Sequence, residues 1–173
     1  MNHSDRVKNF FEAVQINDRA TVKKLLEDAP TFANTENDEG LTPLGSASHF
    51  GHVEMVKLLL DNGADVNAIS HSKISFIPSN TALHAAIAGE RNLEVIEALL
   101  EHHAETNIFD SNGHTCLHSA VYHLDNVQLI SQLIENGASV NAKVDGGKTP
   151  LEIALEREHH QVAELLESWV KMK

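Results

Sequence analysis

The stretch most suggestive of chemistry is Gly146-Gly147-Lys148-Thr149, which looks like the end of a phosphate-binding loop. That motif needs a further glycine five positions before its second glycine, because backbone N–H groups must wrap closely around the phosphates. The residue five positions before Gly147 is Ala142. The pattern therefore does not predict nucleotide binding, and Lys148-Thr149 is better explained as the approach to a helix.

Twelve histidines raise the question of a metal site. Zinc sites show characteristic Cys and His spacings, and neither those spacings nor the H-E-x-x-H pattern occurs here. The adjacent pairs His102-His103 and His159-His160 would point in different directions on a helix. We expect no metal, although histidines can still make binding or stability sensitive to pH between 6 and 7.

The catalytic and calcium-binding patterns are also incomplete. Gly45-Ser46-Ala47-Ser48 lacks the G-x-S-x-G frame of a nucleophile elbow. Asp110-Ser111-Asn112-Gly113 begins like a calcium loop, but no glutamate follows at the required position. We therefore expect no catalytic residue and no cofactor.

The elements that carry these residues recur along the chain. Gly40 to Ala68 contains a Thr-Pro-Leu helix opening, a glycine that ends the helix, a second apolar helix and an extended turn. Thr suits the N-cap and Pro the first helical position, where an N–H has no intrahelical partner. The opening recurs at threonines spaced 39, 34 and 34 residues apart: Thr42, Thr81, Thr115 and Thr149. Such a unit leaves an apolar face uncovered unless it stacks on a neighbour.

A period near 33 residues with this opening resembles the ankyrin repeat family over nearly the whole chain. The resemblance implies an all-α fold, a solenoid of stacked helix-turn-helix units with β-hairpin-like finger loops. We predict one domain, 1–173, with about ten helices in five repeats: approximately 5–37, 38–70, 77–110, 111–144 and 145–173. The divergent first repeat and the charged last repeat are expected to act as caps. The family pattern also implies that His84 and His118 brace the threonine at their helix starts.

The inserted loop 69–80 is the most informative irregularity, since its finger holds about six more residues than the repeat needs. Ile74, Phe76 and Ile77 are apolar in a segment expected to face solvent, and exposed apolar clusters commonly mark interaction sites. The alternative is that Phe76 and Ile77 fold back onto the helices and close the longer loop. The sequence leaves both interpretations open.

Other departures from the repeat are single residues. Gly45 replaces the usual bracing histidine, which indicates either a close approach to the backbone or a softer repeat. One extra residue falls in the turn 89–92, and His103 stands where Gly normally ends a helix with positive φ. The asparagines at the finger bases are expected to hydrogen-bond the turn backbone: Asn67, Asn107 and Asn141.

Composition limits the kind of partner and the cellular compartment that can be expected. A hydrophobic content of 42% suffices for a core, and a formal net charge of -12 argues against nucleic acid and favours a basic protein surface. The single Cys excludes an internal disulfide and indicates a reducing compartment. No secretory signal is visible, and no apolar run approaches bilayer length. We expect a cytoplasmic monomer with no membrane partner.

The family resemblance implies a protein-binding function carried by the fingers and by the concave face of the inner helices. Transferred position by position, it predicts these partner-binding residues: Ser46, His49, Phe50, Phe76, Ile77, Phe109, Ser119, Tyr122, His123, Glu156 and Arg157. Aromatic side chains supply most interface energy, although three of these rings have an alternative role over the seams between repeats: Phe50, Phe109 and Tyr122. We predict a non-catalytic scaffold, adaptor or regulator. The alternatives are an inhibitor or accessory subunit that occludes an enzyme's active site through the 69–80 loop, or a secreted host-directed effector.

Overall fold

A computed structural model describes residues 2–89 and 92–172. Within them the chain forms ten α-helices and one 3-10 helix, with no strand. The α-helices are α1 (His3–Gln15), α2 (Arg19–Asp28), α3 (Pro43–His49), α4 (Val53–Asp61), α5 (Ala82–Ala88), α6 (Leu93–Glu101), α7 (Cys116–His123), α8 (Val127–Glu135), α9 (Pro150–Glu156) and α10 (His160–Lys171). The 3-10 helix, Pro30–Asn34, follows α2. The predicted all-α fold is confirmed, whereas the extra residue predicted in the turn 89–92 involves Glu90 and Arg91, which lie outside the described residues.

The helices divide between two compact units, Met1–Ala104 and Glu105–Lys173. The first unit contains the helix pairs from α1 to α6, and the second contains the pairs from α7 to α10. These pairs correspond to the five expected repeats, whereas the repeat boundaries and the single domain 1–173 stay predictions. No helix in residues 2–89 and 92–172 combines the length and the apolar character needed to cross a membrane.

The helix ends follow local backbone chemistry. Thr42 lies in extended backbone before α3, and its Oγ1 accepts a hydrogen bond from the Gly45 N–H at 3.0 Å. Pro43 occupies the first turn, where its missing N–H leaves no acceptor unsatisfied. Gly51 after α3 has φ 72°, and His103 after α6 has φ 65°. The expected positive φ at His103 is therefore confirmed.

The core of each unit consists mainly of small and aliphatic side chains. In the first unit, Ala47, Met55 and Leu59 have no exposed surface. In the second unit, Leu117 and Ile130 are buried to the same extent. Since only 5% of the chain is aromatic, most of the close contacts between helices are aliphatic. The first repeat is the exception, because the buried rings of Phe10 and Phe32 pack together with 5.5 Å between their centroids.

Asparagines in the first unit join one repeat to the next. Asn34 Nδ2 donates to the Gly63 carbonyl at 2.8 Å, and Asn34 Oδ1 accepts from the Asp65 N–H at 2.7 Å. Asn67 Nδ2 likewise donates to the His103 carbonyl at 3.3 Å. Each amide therefore satisfies backbone groups at the end of the following outer helix, which have no helical partner of their own.

Asn107 repeats this bridge in the second unit. Its Nδ2 donates to the Gly137 carbonyl and its Oδ1 accepts from the Ser139 N–H, both at 2.8 Å. Asn141 makes no side-chain hydrogen bond within the described residues. The turn backbone that Asn67 and Asn107 bind thus belongs to the next repeat. The sequence analysis did not anticipate the same bridge at Asn34, because the first repeat diverges from the pattern.

We predict that Asn107→Ala lowers the free energy of unfolding by about 1–2 kcal/mol, because two backbone groups lose their partners. Asn141→Ala is the matched control, and we expect it to change stability by less than about 0.5 kcal/mol. Chemical denaturation followed by circular dichroism measures both values. Equal effects of the two substitutions would contradict the bridging role.

Candidate protein-binding surfaces

A finger is here the segment between the outer helix of one repeat and the opening threonine of the next. In the first finger, the Asn37 N–H donates to the Leu41 carbonyl at 3.1 Å, and the Leu41 N–H donates to Asn37 Oδ1 at 2.9 Å. Asp110 and His114 make the same pair of bonds in the second unit, at 2.8 and 2.9 Å. This pair closes a tip of three residues, so the turn is ordered without a strand.

The inserted loop keeps this closure and lengthens the tip. The Ser70 N–H donates to the Asn80 carbonyl at 2.9 Å, and the Asn80 N–H donates to Ser70 Oγ at 3.1 Å. Ser70 and Asn80 therefore occupy the positions of Asn37 and Leu41, but they enclose nine residues, 71–79, instead of three. The difference of six residues lies entirely at the tip. Residues 71–79 are called the tip loop below.

The tip loop packs along the first finger. Glu36 Oε1 accepts from the His71 N–H at 3.1 Å and lies 2.7 Å from His71 Nδ1. The Lys73 N–H donates to the Glu39 carbonyl at 2.9 Å, and Lys73 Nζ donates to the Asp38 carbonyl at 3.0 Å. The loop is thus fastened by both backbone and side-chain bonds. We call residues 36–41 together with the tip loop the loop–finger surface.

Gly40 makes this close packing possible. Its carbonyl accepts from the His71 N–H at 3.0 Å, and its φ is 77°. A Cβ at this position would lie 2.0 Å from the His71 carbonyl oxygen, which no side chain tolerates. Gly40 is therefore required both by its left-handed backbone and by the approach of the loop.

Phe76 does not fold back onto the helices, because 84% of its surface is exposed. Ile69, at the base of the loop, is 45% exposed, whereas Ile74 and Ile77 are half-buried. The tip loop therefore presents one large aromatic ring to solvent and partly covers its two isoleucines.

The other predicted residues of the first unit lie on α3 or directly after it. Ser46 is buried, so it offers a partner almost no surface, whereas His49 is exposed. The Phe50 ring is partly exposed and stacks on His52 with 5.9 Å between ring centroids. His52 Nε2 in turn lies 2.8 Å from the Gln15 carbonyl, in the preceding repeat. Phe50 thus stacks on a histidine that is bonded to the preceding repeat, and it keeps part of its own ring accessible.

The predicted residues of the second unit lie along α7 and the end of α9. The guanidinium of Arg157 lies 4.1 Å from the centroid of the Tyr122 ring, within range of a cation–π interaction. Glu156 forms an ion pair with Lys148, with a shortest N–O distance of 2.6 Å. His123 is exposed and meets the Tyr122 ring edge to face. Tyr122 and Arg157 therefore join the α7 and α9 repeats and remain accessible.

Phe109 and Ser119 complete the predicted set. Phe109 is 38% exposed, and its ring lies 6.5 Å from that of His118. Ser119 is half-buried on α7. Each unit presents at least one partly exposed aromatic side chain.

The bracing histidines hold the helix openings. His84 Nδ1 lies 2.9 Å from Thr81 Oγ1. His118 Nδ1 accepts from the Thr115 N–H at 3.1 Å, so the neutral ring carries its proton on Nε2, which donates to the Lys148 carbonyl at 2.9 Å. Among the described residues, no three His, Cys, Asp or Glu side chains form a group that could hold a metal ion.

Burial lowers the pKa of His118 from its usual value, and the nearby His114 adds to this effect. Hydrogen bonding to the Lys148 carbonyl and the charge of Asp110 oppose the shift only in part. A proton on Nδ1 would also face the Thr115 N–H, which already donates to that atom. The folded state therefore favours the neutral ring.

We predict that His118 makes the protein less stable as the pH falls from 7 to 5. The unfolded chain takes up the proton near its ordinary pKa of about 6.5, whereas the folded chain resists protonation. The free energy of unfolding therefore falls by up to about 1.4 kcal/mol for each pH unit below that value. The contribution of the neutral His118 to stability is fully present above the pKa that this residue has in the unfolded chain. Urea denaturation across this pH range should show a shallower loss in His118→Gln, with His160→Gln as the exposed control. An unchanged slope in His118→Gln would contradict this assignment.

Cys116 takes the place of proline in its helix opening and is buried. Its Sγ donates to the Thr106 carbonyl at 3.2 Å. Desolvation by burial raises the pKa of the thiol to about 12. Because the thiolate is the reactive form, this side chain is chemically inert in the folded protein.

We predict that a thiol reagent such as dithionitrobenzoate labels the native chain only as fast as the chain unfolds. Denaturant should accelerate labelling by several orders of magnitude. Ser75→Cys, at an exposed position of the tip loop, is the control and should add one rapidly reacting thiol. Rapid labelling of Cys116 in the folded chain would refute its burial.

The comparisons with known proteins agree with this repeat architecture. A family model described as ankyrin repeats (3 copies) matches residues 10–110, 71–144 and 92–169. The chain is 36% identical over 167 residues to a putative ankyrin repeat protein of fowlpox virus, covering 94% of this chain and 45% of that protein. It is 43% identical over 86 residues to serine/threonine-protein kinase VIK of Arabidopsis thaliana, covering 50% of this chain and 18% of the kinase.

A human relative, ankyrin repeat domain-containing protein 49, is 38% identical over 58 residues, which cover 34% of this chain and 24% of that protein. The chain thus spans less than half the length of each of these relatives. Ankyrin repeats are generally protein–protein interaction modules. Since the family model extends over most of its helix pairs, the chain belongs to the ankyrin repeat family.

Proposed function

We propose that this chain is a non-catalytic interaction module, a scaffold, adaptor or regulator that binds a partner protein through its fingers and inner helices. The observation that carries the proposal is the Phe76 ring, which is 84% exposed on a fastened loop. Burying such a ring against a partner contributes about 1.5–3 kcal/mol. Aromatic residues of this kind commonly dominate interface energy.

The attachment of the tip loop supports this role. The bonds from His71 and Lys73 to the first finger order the loop before any partner arrives. A loop that is already ordered loses less conformational entropy on binding, so more of the contact energy contributes to affinity. An exposed ring on such a loop is suited to act as an anchor.

The remaining accessible predicted residues would add contacts around this anchor. In the first unit these are His49, Phe50 and Ile77, and in the second they are Phe109, Ser119, Tyr122, His123, Glu156 and Arg157. Ser46 is excluded because it is buried. Tyr122 is the strongest of the second set, since its ring is already positioned by Arg157.

We further propose that the protein acts as a cytoplasmic monomer on a partner with a basic surface and not on nucleic acid. The net charge of -12 would repel a phosphate backbone and attract a basic protein. The single buried cysteine is consistent with a reducing compartment.

A second candidate is an inhibitor or accessory subunit that inserts the tip loop into an enzyme's active site. The exposed ring of Phe76 at the end of a nine-residue tip favours this alternative, because a projecting loop can enter a cleft. Replacing residues 71–79 by the short tip Ser-Asn-Gly, copied from residues 111–113, would test it. The closing residues Ser70 and Asn80 are retained, so the finger base should still form.

We predict that Phe76→Ala abolishes or strongly reduces recovery of a crosslinked protein partner, because the anchor is lost. A crosslinking pull-down from native lysate compares the unaltered chain with this variant after thermal melts have shown equal folding. Ile16→Ala is the matched control, since Ile16 is 75% exposed but follows α1, away from the fingers.

Recovery of one protein by the unaltered chain and by Ile16→Ala, but not by Phe76→Ala, would support the proposal. Equal recovery with all three would place the interface elsewhere. A recovered enzyme that is inhibited by the unaltered chain but not by the short-tip variant would favour the second candidate.

A further inference from the structure

The carboxylates of the loop–finger surface are incompletely neutralised. Glu36 faces His71, whereas Asp38 and Glu39 are exposed and form no ion pair with any described residue. Lys73 is the only lysine or arginine on this surface, and its Nζ is bonded to the Asp38 carbonyl. Three carboxylates against one ammonium group leave two formal negative charges when His71 is neutral.

The residues that carry these charges are bonded to the loop that carries the exposed ring. Lys73 is bonded to both Asp38 and Glu39, and it precedes Phe76 by three residues on the same short loop. One extended segment of a partner could therefore contact the ring and the carboxylates together. A neutral or acidic segment would bring these carboxylates no compensating charge, and an acidic one would also be repelled.

We infer that the loop–finger surface docks a basic protein segment that carries an apolar side chain. Lysine or arginine side chains pair with Asp38 and Glu39 while the apolar side chain covers Phe76. This inference rests on the proposed function, names the chemistry of the partner, and assigns the contact to three residues.

Helix α6 provides a competing acidic surface and a matched control. Glu94, Glu97 and Glu101 are exposed and recur on one face of this outer helix. None of these carboxylates forms an ion pair with the described residues. Attraction by net charge alone would direct a basic peptide to α6 as readily as to the loop–finger surface.

The test is a nitrogen-15 NMR titration of the intact chain with three peptides of equal length. They are a lysine peptide with interspersed leucines, a lysine peptide with glycines in place of the leucines, and a glutamate peptide with the same leucines. We expect the lysine–leucine peptide to shift the amide signals of residues 36–41 and 71–79 and to bind tightest. Asp38→Asn/Glu39→Gln should weaken its binding by about three- to tenfold. Phe76→Ala should remove the advantage that the leucines confer.

Glu97→Gln/Glu101→Gln changes the net charge by the same amount and should alter this binding by less than about twofold. Equal weakening by both charge variants, or signal shifts centred on α6, would show attraction by net charge and overturn the inference. A glutamate–leucine peptide that binds at Phe76 would overturn it while leaving the proposed function intact. Absence of signal shifts in the loop–finger surface with all three peptides would also overturn it, and the pull-down would then decide the proposed function independently.

Discussion

The pair of hydrogen bonds that closes the first three fingertips is the constraint on which the proposed binding surface depends. One residue donates its N–H across the tip and also accepts the returning N–H, through Asn37 Oδ1, Asp110 Oδ1 or Ser70 Oγ. Because the closure uses only the two residues at the base, the number of residues between them can change without disturbing the adjoining helices. The tip loop is the consequence: an insertion that projects a ring while the repeat around it stays intact.

Asn107 and His118, which bridge repeats through backbone groups, differ in role from Phe76, the proposed anchor, whereas Tyr122 and Arg157 both join two repeats and remain accessible. Asn107 and His118 are bonded to backbone groups of neighbouring repeats, so their geometry is set by stability. Phe76 is largely exposed, so packing within the chain places little constraint on its side chain. Gly45 shows how one repeat departs from this scheme. A Cβ there would meet only Thr42 Oγ1 within 4 Å in the described residues, which favours a softer repeat over a close backbone approach.

The predictions that succeeded were those set by local physics. Threonine and proline at helix starts, and a positive φ at His103, follow from the backbone chemistry of single residues and their immediate neighbours. The exposure of the predicted site residues could not be predicted from local sequence. Ser46 matched the family position yet is buried, and Tyr122 turned out to lie beneath Arg157. Burial and cation–π contacts depend on atoms that are distant in sequence.

By itself, the sequence determined the repeat period, the helix pairs and the length of the insertion, because these follow from periodicity and from residues a few positions apart. Only the tertiary structure decided where the tip loop goes. Its docking depends on bonds between His71 and Glu36 and on the space left by Gly40, groups about 30 residues or more apart in the chain. That packing leaves Phe76 exposed, whereas the alternative conformation, in which the loop folds back onto the helices, would have buried it. No local pattern encodes this choice, since it depends on which surfaces the fold brings within hydrogen-bonding distance.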